Sequence, residues 1–179
     1  LYTYHTAPMS NFELPERVNP YQLADKKTVL EGEVSPQRLK RLEEATESVS
    51  QAAQVELSFD LDEAGRRVIT GQVTGAANLL CQRCLKAFGY KLSGTFNLSL
   101  VYNDEMAKAL PTHLDSLLLL PDEPMDVAEI VEDELLLSLP MHAMHPVGEC
   151  QIETQFGADE LAEVSEKAYN PFDVLKDLK

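Results

Sequence analysis

Cys81 and Cys84 stand in the run Cys81-Gln82-Arg83-Cys84-Leu85. Two thiols separated by two residues converge on one point when the chain turns tightly between them. That makes half of a tetrahedral metal site or a dithiol redox pair. The third and last cysteine, Cys150, is separated from Cys84 by 65 residues and comes just after His142 and His145. Three thiols and one imidazole form a Cys3His set, a composition that structural zinc sites use. His145 is the preferred fourth ligand because it is nearer to Cys150 and follows the turn. The long interval between the halves sets the arrangement apart from a compact zinc finger. Two other readings stay open at this point: buried thiols acting as small apolar residues, and redox chemistry at the Cys81–Cys84 pair. Arg83 and Lys86 favour thiolate and so serve metal binding and redox chemistry alike.

The elements around these residues decide whether they can meet. An apolar run precedes Cys81 and an alternating one follows Cys84, so the pair reads as the tip of a hairpin. The alternation predicts strands over 28–34, 54–60, 67–80 and 87–102, with a turn at 62–65. Gly71 and Gly75 are expected to mark a bend or bulge, and Gly94 a break. Ser35-Pro36 opens a helix expected to run to about Ser48. The segment 126–139 is the clearest helix. Asp126 and Glu129 form a capping-box pattern. Val127, Ile130, Val131, Leu135 and Leu137 make the apolar stripe, Glu129, Glu132, Asp133 and Glu134 the wet face, and Pro140 the stop. A short strand is expected at 117–120, a helical turn near Pro20 in an otherwise extended arm, and a last helix after Asn170-Pro171-Phe172. The fold class is α+β: an antiparallel meander, open or coiled toward a barrel, with a few packed helices.

The chain has 179 residues, enough to bury a core without disulfides. Residues 1–8 show no periodicity and are read as a leader outside the fold. Residues 9–179 are read as a single domain, with an acidic, mobile segment at 103–124. Nothing at the start resembles a secretory signal, no apolar run approaches a membrane span, and the odd cysteine count suits a reducing compartment; the expected location is cytoplasmic. No phosphate-cradling loop or nucleophile elbow is present. His5 and His113 read as surface residues.

The net charge of −15 is unevenly placed. Residues 1–103 hold twelve acids against eleven bases, whereas residues 104–163 hold fifteen acids and a single base, Lys108. Within 64–103 there is no acid, and the five bases are Arg66, Arg67, Arg83, Lys86 and Lys91. These five are the candidate contacts to RNA phosphates. The acidic half suits a basic protein partner. The plainer alternative is a solubilising acidic stretch beside an ordinary sheet.

In combination, three stretches resemble the bacterial YceD family, also called the large ribosomal RNA subunit accumulation proteins. They are Cys81-Gln82-Arg83-Cys84-Leu85, the run Val131-Glu132-Asp133-Glu134-Leu135-Leu136-Leu137-Ser138-Leu139-Pro140 followed by a histidine and Cys150, and Asn170-Pro171-Phe172-Asp173-Val174-Leu175. The resemblance runs from about Met9 to Lys179. It implies a cytosolic, non-enzymatic ribosome-biogenesis factor needed for normal accumulation of 23S rRNA. The expected partner is large-subunit rRNA, its precursor, or a basic ribosomal protein, with no membrane and no small-molecule substrate. The contrasting expectation is a thiol-redox or metal-dependent enzyme centred on Cys81 and Cys84, which would need an open cleft beside the thiols.

Overall fold

The computed structural model describes residues 12–150. The described chain opens with a two-residue strand, β1 (Arg17–Val18), and a short helix, α1 (Pro20–Asp25). Asn19 caps α1: its side-chain oxygen accepts the amide of Gln22 at 3.0 Å, and Pro20 fills the first turn, where no amide is needed. Strand β2 (Val29–Val34) follows. The single helix expected from Ser35 onward is divided. A 3-10 turn (Pro36–Arg38) is separated from α2 (Lys40–Ala45) by Leu39, whose backbone leaves helical geometry as its side chain is drawn fully into the core.

Three long strands then form the meander: β3 (Ala53–Leu61), β4 (Arg67–Leu80) and β5 (Ala87–Val101). The turn into β4 is set by Asp62, whose carboxylate accepts the amides of Ala64 at 2.9 Å and Arg66 at 2.8 Å. Helix α3 (Asp104–Lys108) and strand β6 (Asp115–Leu118) occupy the acidic segment. β6 arrives two residues earlier than the leucine run suggested. It joins the sheet parallel to β5, so the sheet is an open mixed one of order β2-β3-β4-β5-β6 rather than a pure meander or a closed barrel. Strand β7 (Met125–Asp126) pairs with β1 and leads into α4 (Val127–Leu137).

One sheet face is covered. Leu57, Phe59, Ile69, Val73 and Leu92 from the strands meet Val127, Val131 and Leu135 of α4, all with essentially no exposure. Burying side chains of this size stabilises the fold by roughly 1.5–3 kcal/mol each before entropy is counted. The opposite face presents Thr70, Gln72 and Thr74 opposite Asn97, Thr95 and Ser93, all exposed.

The glycines in the strands mark neither a bulge nor a break, since pairing runs unbroken from Val68↔Ser99 to Leu80↔Ala87. A side chain at Gly71 would occupy the space of the Phe96 ring directly across the ladder. One at Gly94 would collide with Glu134 of α4. These positions are glycine because another group needs the volume.

Asp126 caps α4 through the amides of Ala128 and Glu129, as its position implied. The stripe differs in two places. Leu137 is 81% exposed, and Glu132, expected on the wet face, is only 5% exposed. α4 lies between the sheet and α2, so it has two contact faces instead of one. Glu132 meets α2, accepting Arg41 Nε at 2.7 Å and the Leu42 amide at 3.0 Å. The expected leader at 1–8 and the helix after Asn170 lie outside the described residues.

Candidate metal centre at the hairpin tip

β4 and β5 stay paired to Leu80↔Ala87, which leaves 81–86 as a tight cap. The Cys81 amide donates to the Lys86 carbonyl at 3.0 Å, and the Leu85 amide donates back to the Cys81 carbonyl at 2.9 Å. Leu85 adopts a positive φ of 56°, a left-handed turn that a β-carbon disfavours. Its side chain is left 70% exposed by that turn. The result folds Cys84 back toward Cys81.

The second half of the cluster arrives from α4. α4 ends at Leu137 with Ser138 as its C-cap, two residues short of the expected end and ahead of Pro140, and the chain crosses the hairpin tip as an arm over 138–150. The Gln82 amide donates to the Ala143 carbonyl at 2.8 Å, tying the arm down. The His145 ring lies 4.8 Å, centroid to centroid, from that of Phe88 on β5.

These contacts bring Cys81, Cys84, His145 and Cys150 together, with one ligand atom from each and all four atoms within 4.8 Å of one another. Cys81 Sγ lies 3.9 Å from Cys150 Sγ, and Cys84 Sγ lies 3.4 Å from His145 Nδ1. A tetrahedron with Zn–S bonds of about 2.3 Å and Zn–N bonds of about 2.05 Å has S–S edges of about 3.8 Å and S–N edges of about 3.6 Å. The two measured edges match this figure, and the soft thiolate set with one imidazole suits zinc. The residues present therefore fit a tetrahedral metal. His142 is exposed and does not belong to the cluster.

The electrostatics of the cluster are divided. Burial opposes ionisation of Cys81, yet the backbone amides of Cys84, His145 and Arg83, aided by the His145 side chain, outweigh it and bring the thiol down to about 5. Cys150 is pushed up to about 11, first by burial and then by the Cys84 and Cys81 thiols that face it. Sulfurs this close repel one another when ionised, and a bound cation inverts that balance. Cys81 is buried, and Cys84 and Cys150 are half-buried. Among the described residues, a cavity between α2 and the arm is lined by Gln82, Leu139 and Ala143 and by none of the four ligand residues.

The five candidate RNA-contacting bases do not form one patch. Arg66 and Arg67 sit at the start of β4, and Arg83 and Lys86 at its far end, on the order of 45 Å away along a 14-residue strand. Arg66 is held by Asp62 at 2.6 Å, and Arg67 by Asp25 at 2.9 Å while its guanidinium lies over the Tyr21 ring. Arg83 and Lys86 are exposed at the tip, with Arg83 near the Met144 sulfur, and Lys91 is exposed on the uncovered sheet face. Neither Phe88 nor the Gln82–Ala143 tie was singled out in the sequence as serving the cluster. Phe88 carries only an ordinary strand-core signature, and a backbone contact leaves no signature at all.

A family model described as Large ribosomal RNA subunit accumulation protein YceD matches residues 69–179, which spans both halves of the cluster. The chain belongs to the YceD family. A Haemophilus influenzae protein named Large ribosomal RNA subunit accumulation protein YceD is 34% identical over 174 residues, covering 96% of this chain and 99% of that one. No solved structure matches the chain. Among the described residues, no helix is long and apolar enough to cross a membrane.

Proposed function

We propose that this chain supports the accumulation of large-subunit (23S) ribosomal RNA in the cytoplasm as a non-enzymatic binding factor. In this reading a structural zinc ion held by Cys81, Cys84, His145 and Cys150 fixes one end of its sheet. The observation that carries the role is the near full-length likeness to the Haemophilus influenzae protein whose name states it. The partner is a basic ribosomal protein met by the acidic half, with large-subunit rRNA reached by the bases of the hairpin tip, Arg83 and Lys86, and by Lys91. Asp104, Glu105, Asp115, Asp122 and Glu123 are all exposed around α3 and β6, which supports the protein contact. Arg66 and Arg67 are the weaker RNA candidates because each already faces a carboxylate.

The zinc contributes a fixed crosslink between the hairpin tip and the arm rather than a reaction centre. Cys81 is enclosed, which suits a closed knot better than an open catalytic cleft. The decisive experiment is complementation. A strain lacking its own YceD protein is supplied with this chain, and the ratio of 23S to 16S rRNA is measured. Restoration of the ratio is expected. An unchanged deficit, with the chain present and folded, refutes the role.

A further inference from the structure

At the end of the sheet opposite the thiol cluster, α3 folds back over the start of β4 and the end of β5. It leaves a cavity of about 260 Å³. Its walls include the apolar side chains of Met106 and Leu110, with Tyr21, Tyr102 and Arg67 around them. Ser99 also lines it, is 1% exposed, and its hydroxyl makes no hydrogen bond. A buried hydroxyl without a partner is unfavourable, and most such groups in folded proteins are satisfied. Ser99 lies on the same sheet face as exposed Ser93, Thr95 and Asn97; α3 covers the face only here. The polar pattern of that face thus ends in an unsatisfied group in the wall of a largely apolar hollow.

The electrostatics around the hollow select its occupant. Arg66 and Arg67 are the cations in its wall, and both are matched by carboxylates, Asp62 and Asp25. Beyond them, Asp104 and Glu105 on the first turn of α3 and Glu63 in the β3–β4 turn are exposed, against one further exposed cation on α3, Lys108 in its last turn. The surroundings therefore carry an acidic excess, which repels a phosphodiester and attracts cationic flanks. The volume suits one ring-bearing side chain.

We propose that this cavity anchors an aromatic side chain with a polar tip, a tyrosine in the first instance, presented by a lysine- and arginine-rich protein segment. The inference rests on the reading that a basic protein is the partner, and it specifies how that protein is held. The ring packs against Met106 and Leu110, its hydroxyl pairs with Ser99, and the flanking cations meet Asp104, Glu105 and Glu63. A site built around a buried hydroxyl discriminates against the analogue that lacks the matching group, because its own hydroxyl is then left unpaired.

The test uses the full chain, isotope-labelled, titrated with short peptides and followed through its amide resonances. The peptides are a tyrosine flanked by lysines, the same peptide with phenylalanine or alanine in its place, and a tyrosine flanked by glutamates. The lysine-flanked tyrosine should shift the amides of Ser99, Tyr102 and Met106 saturably. The phenylalanine peptide should bind about three- to tenfold more weakly, the value of one hydrogen bond. The alanine and glutamate-flanked peptides should not bind there. Ser99→Ala should erase the tyrosine–phenylalanine difference, a comparison made within one variant and so independent of any change in its stability. Ala109→Trp, which fills the hollow, should abolish binding. Equal tyrosine and phenylalanine affinities in the unaltered chain, shifts confined to other surfaces, or stronger binding of uridine monophosphate would each overturn the anchor. Purified basic ribosomal proteins serve as a separate arm. If they bind the chain and its Ser99→Ala and Ala109→Trp variants equally, the anchor fails while the partner reading stands. If none binds, the partner reading fails, and the anchor, which rests on it, falls too.

Discussion

Removing Cys150 tests the cluster most directly, because it breaks the longest-range link and leaves the meander untouched. The Cys81–Cys150 contact spans 69 positions in sequence, and Cys150 Sγ is one of the four ligand atoms of the cluster. A metal that binds only the folded chain stabilises it by about 2.7 kcal/mol when free metal is at 100 times its dissociation constant, and by about 4.1 kcal/mol at 1,000 times. A domain of this size shifts its melting temperature by about 2–4 °C per kcal/mol, so zinc should raise the midpoint by about 5–16 °C. The assay is thermal unfolding of the reduced chain and of Cys150→Ser, each with zinc and with a chelator, beside metal analysis of the purified protein. The unaltered chain should carry one zinc and lose the increment on chelation. Cys150→Ser should melt near the chelated value and respond little to zinc. Cobalt substitution should give the visible absorption of a tetrahedral thiolate site in the former only. If the reduced chain neither retains zinc nor binds it in titration, and chelation leaves the midpoint where it was, the geometric argument is refuted and the three thiols are packing residues.

Four further outcomes follow from the packing. Leu135→Ala should cost about 2–5 kcal/mol in denaturant unfolding, while Leu137→Ala should stay within about 0.5 kcal/mol, since only the first is buried; similar costs would show that α4 is rotated. Arg41→Ala should cost about 1–3 kcal/mol by stranding the buried Glu132 carboxylate, and a neutral result would remove Glu132 from the α2–α4 contact. Gly71→Ala should cost about 1–3 kcal/mol, because the Phe96 ring would have to move. Gly94→Ala should cost less, since the Glu134 side chain can swing into solvent. Burial raises the Glu134 carboxyl above 4.5, so its protonated form fits the fold better and its contribution is lost as pH rises through the raised value. Glu134→Gln should therefore gain stability relative to the unaltered chain between pH 4.5 and neutrality; a constant difference across that range would show that the carboxyl is not perturbed.

The strands were legible because each has one wet face, and period-two alternation reports that directly. β4 begins and ends at the residues its pattern indicated, and Asp126 caps α4 as its spacing implied. The four residues at the tip could be nominated from residue type and order, since few chemistries combine two close thiols with a distant histidine and cysteine. What failed shares one cause: local patterns do not reveal a second neighbour. Glu132 looks solvated until α2 is placed against it, and Gly71 looks like a kink until Phe96 is placed opposite. The parallel entry of β6 depends on a crossover through α3 that no alternation encodes. Arg66 and Arg67 counted as free charge in a composition window because Asp25 lies outside that window and Asp62 just before it.

The strand order has a consequence for the sequence of events during folding. β2, β3, β4 and β5 are each hydrogen-bonded to the next in the chain, and the connection from β4 to β5 is short. Such contacts close small loops and can form early, while the chain is still being synthesised. The ligand pair at Cys81 and Cys84 is then presented on a finished hairpin, waiting for His145 and Cys150 to emerge. Closing that much longer loop adds only a logarithmic entropic cost. On the proposed zinc site the crosslink is thus a late event, a clasp fastened on an existing sheet, and metal supply would govern how the molecule is finished rather than whether its sheet assembles.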